Sequence, residues 1–170
     1  MLTALIKRCR SVSANATGWC GIGHAGGMTK DLLLMAWPYQ GQILTSFRWA
    51  EDYFPPLPYT ASNASVTQIS ATVNATGFEL IYRCQNCFSW PREDEVQTIA
   101  TTEGRNLFGF AQATLGPSNP GCPGKIGIEY HDNGFGLWMA EFENATSSSY
   151  AGWAALAKPA PAGTCVSGGA

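Results

Sequence analysis

Charged side chains are scarce in this 170-residue chain: Asp, Glu, Lys and Arg make up 13% of it, against about 25% in an average soluble domain. The net charge is −2, so no broad field exists to attract nucleic acid or an anionic membrane. Long apolar runs are missing as well, and none approaches the ~18 residues that cross a bilayer. Histidine is limited to His24 and His131, which excludes a three-histidine metal site and leaves a two-histidine copper site short of a third ligand. No Gly-x-Ser-x-Gly nucleophile turn is present. Paired carboxylates for glycoside hydrolysis could be drawn from Glu93, Asp94, Glu95, Glu129 and Asp132, and the first three belong to a charged turn, REDE, that reads as a solvated loop. No internal repeat is visible.

What is there is apolar and aromatic. Hydrophobic residues make up 45% of the chain, with six Trp, six Tyr and eight Phe, a composition that suits a β-rich domain, a flat ligand, or both. The length allows one domain with a real core. Asn15, Asn63, Asn74 and Asn144 each open an Asn-x-Ser/Thr acceptor, and four of them in turn-like settings predict a secreted, glycosylated protein. The start, MLTALIKRCRSV, places basic residues after a short apolar stretch, the reverse of a signal peptide, so the natural start is expected to lie elsewhere.

Six cysteines stand at 9, 20, 84, 87, 122 and 165. Only Cys84-Gln-Asn-Cys87 has a telling spacing. A structural zinc site would need a second close pair or a Cys/His pair at ligand spacing, covalent haem attachment would need His where Phe88 stands, and a redox-active motif would need a βαβ setting. A local disulfide closing a turn is the preferred reading, and the other four cysteines can pair in several ways.

Strand-like runs recur at 32–37, 42–49, 65–73, 77–83, 106–112 and 134–142, with loops at 54–63 and 115–124. One helix is expected over 148–157, and residues 158–170 read as a linker-like tail. The natural architecture is all-β, an antiparallel β-sandwich of the immunoglobulin-like type with one short C-terminal helix.

The stretch GWCGIGHAGGM, residues 18–28, concentrates glycine where backbone approaches something bulky or flat. Methionine is by default a core filler. Met28, however, follows flexible HAGG and precedes a polar turn, so its thioether is presented on a loop where it can reach a soft metal centre such as haem iron.

The blocks GWCGIGHAGGMTKDLLLMAW, QILTSFRWAEDY, YRCQNCFSW and YHDNGFGLWMAEF, in that order, resemble the cytochrome domain of cellobiose dehydrogenase and the iron-reductase-like cytochrome domains of secreted fungal oxidoreductases. The resemblance covers residues 18–157. It implies a sandwich (DOMON-like in fold) that holds one non-covalent haem b, with Met28 and His131 as axial ligands. His24 lies four residues before Met28 and would reach the iron from the same side, so it is assigned to the rim or surface. Trp37, Tyr53, Phe110 and Trp138 are candidates for haem packing or propionate contact, with ordinary core packing as the alternative for each. Cys84 and Cys87 match the family's RCxxC disulfide. Only 17 residues precede Gly18, so strands of the family pattern are expected to be missing from this atypical segment.

The implied role is one-electron transfer, with the domain not catalytic alone. The implied donor is a flavin dehydrogenase domain, and the implied acceptor is a copper polysaccharide monooxygenase or ferric iron. No nucleic acid and no membrane span are expected. The alternatives are a haem-less carbohydrate-binding sandwich and a degenerate fragment without function.

Overall fold

The computed structural model describes residues 4–12, 17–101 and 104–165; the acceptor at Asn15 lies outside them. In chain order the elements are β1 (Ala4–Val12), β2 (Trp19–Gly23), β3 (Leu33–Tyr39), β4 (Gln42–Trp49), β5 (Leu57–Pro58), β6 (Ser65–Asn74) and β7 (Gly77–Gln85). These are followed by β8 (Ser89–Arg92), β9 (Glu95–Thr98), β10 (Arg105–Ala113), β11 (Phe135–Glu141), α1 (Phe142–Ala145), α2 (Tyr150–Ala155) and β12 (Lys158–Pro159). The expected antiparallel β-sandwich is what forms. A four-stranded sheet, β1-β7-β6-β12, faces a six-stranded sheet, β11-β10-β2-β3-β4-β5, and β8-β9 forms a separate hairpin.

Local chemistry explains the turns. β3 and β4 join through Gln40 and Gly41, both at positive φ (49° and 75°), the backbone that a two-residue hairpin requires. Between β6 and β7 the Asn74 side-chain oxygen accepts from the Thr76 N–H at 2.9 Å and the Thr76 hydroxyl at 3.0 Å, a side-chain turn of the kind Asn favours. The charged REDE turn closes the β8–β9 hairpin, and the Lys30 ammonium pairs with Glu93 beside it.

Strand alternation divides the apolar residues between two cores. Ile22, Leu34, Ala36 and Ile43 of the large sheet pack against Phe78, Leu80, Tyr82 and Cys84 of the small one. A fully buried aliphatic side chain such as Leu80 contributes roughly 1.5–3 kcal/mol. On the opposite face of the large sheet, Trp19, Met35, Trp37, Leu44 and Ala113 form a second cluster, covered by Ile126 and Ile128 from the loop after β10.

Several elements were not legible. β1 pairs with β7 along its whole length, and Cys9 on it is bonded to Cys20 on β2, tying the two sheets together. β2 is the glycine-rich stretch itself, extended and paired on both sides. The C-terminal helix spans 150–155 rather than 148–157 and is preceded by the short α1. Beyond it, β12 pairs with β6, and Cys165 is bonded to Cys122. Among the described residues no helix is long and apolar enough to cross a membrane.

Candidate functional site

The glycine pattern of β2 acquires its reason in the outer face of the large sheet. Across the strands run two rows of partners. One is Phe135–Ala111–Gly21–Met35, and the other is Leu137–Gly109–Gly23–Leu33. In each row the two central positions are Gly or Ala and the two flanking positions are large. The face therefore carries a trough with apolar sides. Two loops rise around it, one spanning 24–32 together with 53–56 and the other 126–134, and they enclose a cavity of about 650 Å³. That volume falls within the ~300–1,000 Å³ range of small-molecule and cofactor sites.

Met28 and His131, expected as a ligand pair, both line this cavity, one from each loop system, and so do Tyr53 and Phe110. Tyr53 stands at the rim, 80% exposed. Trp37 and Trp138 are placed elsewhere. Trp37 is fully buried beside the cavity, its indole N–H donating to the Pro120 carbonyl at 2.8 Å. Trp138 stacks on Phe108 at 5.1 Å, on the side turned toward the inter-sheet core. Trp19, Met35, Tyr130 and Phe135 line the cavity and were not anticipated. The two-residue alternation of Trp19-Cys-Gly21-Ile-Gly23 was the available signal.

The Met28 loop is held by a buried carboxylate. One Asp31 oxygen accepts from the His24 and Ala25 N–H groups at 3.1 and 2.9 Å, and the other accepts from Ala25 at 2.8 Å. Burial pushes the Asp31 pKa up to about 7, against the downward pull of these and the Gly27 and Leu32 N–H groups. The loop closes so tightly over β2 that a Cβ on Gly23 would lie 2.5 Å from the Gly27 oxygen and 2.7 Å from an Asp31 oxygen. Gly26, at φ 83°, sits against Leu107. Both positions require glycine.

The His131 loop is pinned from the other side. Asp132 accepts from the Thr114 hydroxyl and from its N–H at 2.7 Å, and these bonds, the hydroxyl one foremost, lower its pKa. Asn133 N–H donates to the Gln112 carbonyl at 3.0 Å, and Gln112 N–H to Gly134 at 2.8 Å. The imidazole lies 4.3 Å from the Tyr130 ring and 4.7 Å from Phe135, with Trp19 edge-on at 6.5 Å. Its Nδ1 is buried with no hydrogen-bond partner among the described residues.

His24 is not at the rim. It is fully buried between the sheets, with Nδ1 2.6 Å from the Leu32 carbonyl and its ring edge-on to Trp90 and Phe108. The rim assignment failed because β2 continues to Gly23 and the chain turns inward at His24. This also removes His24 from any competition for the cavity. Cys84 and Cys87 form the expected local disulfide.

A cytochrome-type cofactor fits these residues. His131 brings an imidazole to the cavity wall. A thioether shares the cavity, the walls are apolar and aromatic, and the small-residue floor leaves room for a flat group. The donor set, one soft sulfur and one imidazole, suits low-spin iron.

Fold and cavity together define a β-sandwich of the cofactor-binding kind, with the site on one outer sheet face. Residues 3–152 match the family described as the cytochrome domain of cellobiose dehydrogenase, and the chain belongs to that family. The cytochrome domain of Myriococcum thermophilum cellobiose dehydrogenase superposes with a TM-score of 0.85 at 39% identity, over 92% of this chain and 76% of that one. The cytochrome b domain of Coprinopsis cinerea pyranose dehydrogenase gives 0.77 at 28% identity, over 94% and 78%. A pyrroloquinoline quinone-dependent pyranose dehydrogenase of Coprinopsis cinerea is 35% identical over 109 residues, 64% of this chain and 14% of the relative. The chain thus spans about a seventh of that enzyme.

Proposed function

We propose that this chain is a secreted one-electron carrier that binds a single non-covalent haem b through Met28 and His131. The observation that carries the reading is the convergence of a thioether, Met28, and an imidazole, His131, from two loop systems on one apolar cavity. Held by the Met28 thioether and the His131 imidazole, a haem would supply outer-sphere electron transfer. The protein's part is placement and exclusion of water. Asp31 holds the loop that presents Met28, Asp132 and Thr114 hold the loop that presents His131, and Phe135, Met35 and Trp19 keep the walls dry. The exposed hydroxyphenyl of Tyr53 at the rim is suited to meet a propionate. Phe110 completes the wall, and Trp37 and Trp138 act behind it as packing.

The donor proposed is the reduced flavin of a sugar dehydrogenase. The pyrroloquinoline quinone-dependent relative widens the donor class to other two-electron sugar oxidants. The acceptor proposed is a copper polysaccharide monooxygenase or ferric iron. In the secreted form, Asn15, Asn63, Asn74 and Asn144 are the proposed glycan acceptors, open to a mass shift on enzymatic deglycosylation.

Haem titration tests the reading. The folded chain takes up one equivalent, and dithionite reduction yields sharp low-spin bands. Met28→Ala and His131→Ala each abolish that spectrum. A folded chain that stays colourless refutes haem binding, and a low-spin spectrum that survives either substitution refutes the ligand pair.

A further inference from the structure

His24 is a buried imidazole that the cavity does not use. It faces the Cys84–Cys87 pair, and these three residues form a cluster of metal-ligating side chains away from the cavity. All three are fully buried or nearly so, and their ligand atoms lie within 4.8 Å of one another. Because a carbonyl can only accept, the 2.6 Å contact with Leu32 fixes the His24 proton on Nδ1. The Nε2 lone pair is thereby turned toward Cys84 Sγ, 3.9 Å away. A ring N–H donated to a backbone carbonyl, with the other nitrogen directed at the metal position, is the arrangement by which proteins orient a ligating histidine.

We infer that reduction of the Cys84–Cys87 disulfide converts this cluster into a site for one thiophilic d¹⁰ ion, Zn²⁺ or Cu⁺, held by His24 Nε2 and the two thiolates. A dithiol supplies two electrons and two protons and is itself oxidised to a disulfide; with a phosphine the electrons come from phosphorus, and water supplies both protons and the oxygen of the phosphine oxide. The S–S bond breaks to two thiols while the reductant is oxidised, and the entering ion displaces both thiol protons. Bonds of about 2.3 Å to sulfur and 2.0–2.1 Å to nitrogen put ligand atoms roughly 3.5–3.8 Å apart, so the two sulfurs must part and the imidazole must close in on them from within 4.8 Å. Cys87 can supply that movement. It sits in the turn after β7, next to the exposed Asn86 at φ 58°, so opening a few residues of turn admits the ion without separating the sheets. Trp90 and Phe108 wall the site, and a soft sulfur-rich donor set in such surroundings selects Cu⁺ and Zn²⁺ over hard cations.

The test uses the full chain without haem, so it does not depend on the cavity reading. A variant with Cys9, Cys20, Cys122 and Cys165 changed to Ser isolates the pair. It is reduced anaerobically and titrated with Co²⁺, then separately with Zn²⁺ and Cu⁺ against chromophoric chelators. The expected result is one equivalent bound by the reduced form and none by the oxidised form. Sulfur-to-cobalt charge-transfer bands should appear, and affinity should fall at least tenfold in His24→Ala. If the four-serine variant does not fold, the same titration of reduced wild type against Cys84→Ser/Cys87→Ser decides. Equal uptake by that double variant, no uptake by reduced folded wild type, or uptake only after loss of cooperative unfolding overturns the inference. Preference between the Zn²⁺ and Cu⁺ arms identifies the ion.

Discussion

Removal of the Asp31 carboxylate should loosen the Met28 loop and alter how stability responds to pH. In Asp31→Ala the Ala25 N–H loses its acceptor, while the His24 N–H keeps the Leu32 carbonyl at 3.2 Å. One donor left without a partner costs about 1–3 kcal/mol. Relief of a desolvated carboxylate offsets part of this, so the expected net loss is about 1–2 kcal/mol at neutral pH. Asp31→Asn keeps one acceptor and should lose less.

The pH dependence separates the two contributions. Asp31 titrates near 7 in the folded chain, against 3.8 as its ordinary value. The folded state therefore holds the proton more tightly than the unfolded one between these limits. The contribution of Asp31 to stability is fully present below about pH 4 and is lost as pH rises through about 7, with a slope of at most ~1.4 kcal/mol per pH unit. Urea midpoints of the haem-free protein, measured from pH 4 to 8, should decline more steeply for wild type than for Asp31→Asn. Parallel profiles would refute the burial argument. A profile for wild type that rises across this range would show that the N–H donors, not desolvation, dominate the carboxylate.

Two further changes probe the loops and their fastening. Gly23→Ala would drive a methyl against the Gly27 carbonyl and Asp31, where overpacking costs roughly 1–3 kcal/mol. Haem affinity should fall with thermal stability, and an unchanged melting temperature would show that the loop is not seated on β2. Cys122→Ser/Cys165→Ser opens a bridge that spans 43 residues, and the chain-entropy relation assigns such a loop about 4 kcal/mol. Chemical denaturation should register most of that. A loss under 1 kcal/mol would mean that β12, with the backbone bond from Thr164 to Gly121 at 2.6 Å, holds the tail unaided.

How far the sequence could be read depended on which interactions are local. β4, β6, β7, β10 and β11 announce themselves through alternation and β-branched or aromatic content, and Met28 and His131 could be singled out before any geometry. β1 could not, because its hydrogen bonds are all made to β7, some 70 residues onward. β2 was hidden by its glycines, since a strand whose one face must stay empty has the composition of a loop. The trough exists only when Gly21 and Ala111 stand side by side between Met35 and Phe135, and that registry is non-local. The same holds for Trp37. Its side chain falls one row beyond the trough, so it packs beside Trp19, Met35 and Leu44 instead of lining the cavity.

His24 shows most clearly what spacing misses. Four residues separate it from Met28, and a loop reading puts both on one side of a ligand. The chain leaves β2 after Gly23, however, and the Asp31 carboxylate gathers the N–H groups of residues 24 and 25. This folds His24 under the sheet while Met28 stays above it. One buried carboxylate thus sends two potential metal ligands to opposite faces of a single strand end. The same turn that delivers a thioether to the outer cavity delivers an imidazole to the inner disulfide. The two sites are consequently linked through Asp31: a substitution there should disturb haem ligation on one face and the His24–Cys84 approach on the other. Measuring cavity ligation by the haem spectrum and disulfide reactivity by thiol-exchange rate in Asp31→Asn checks this directly. A change in one readout without the other would show that the loop's two ends move independently.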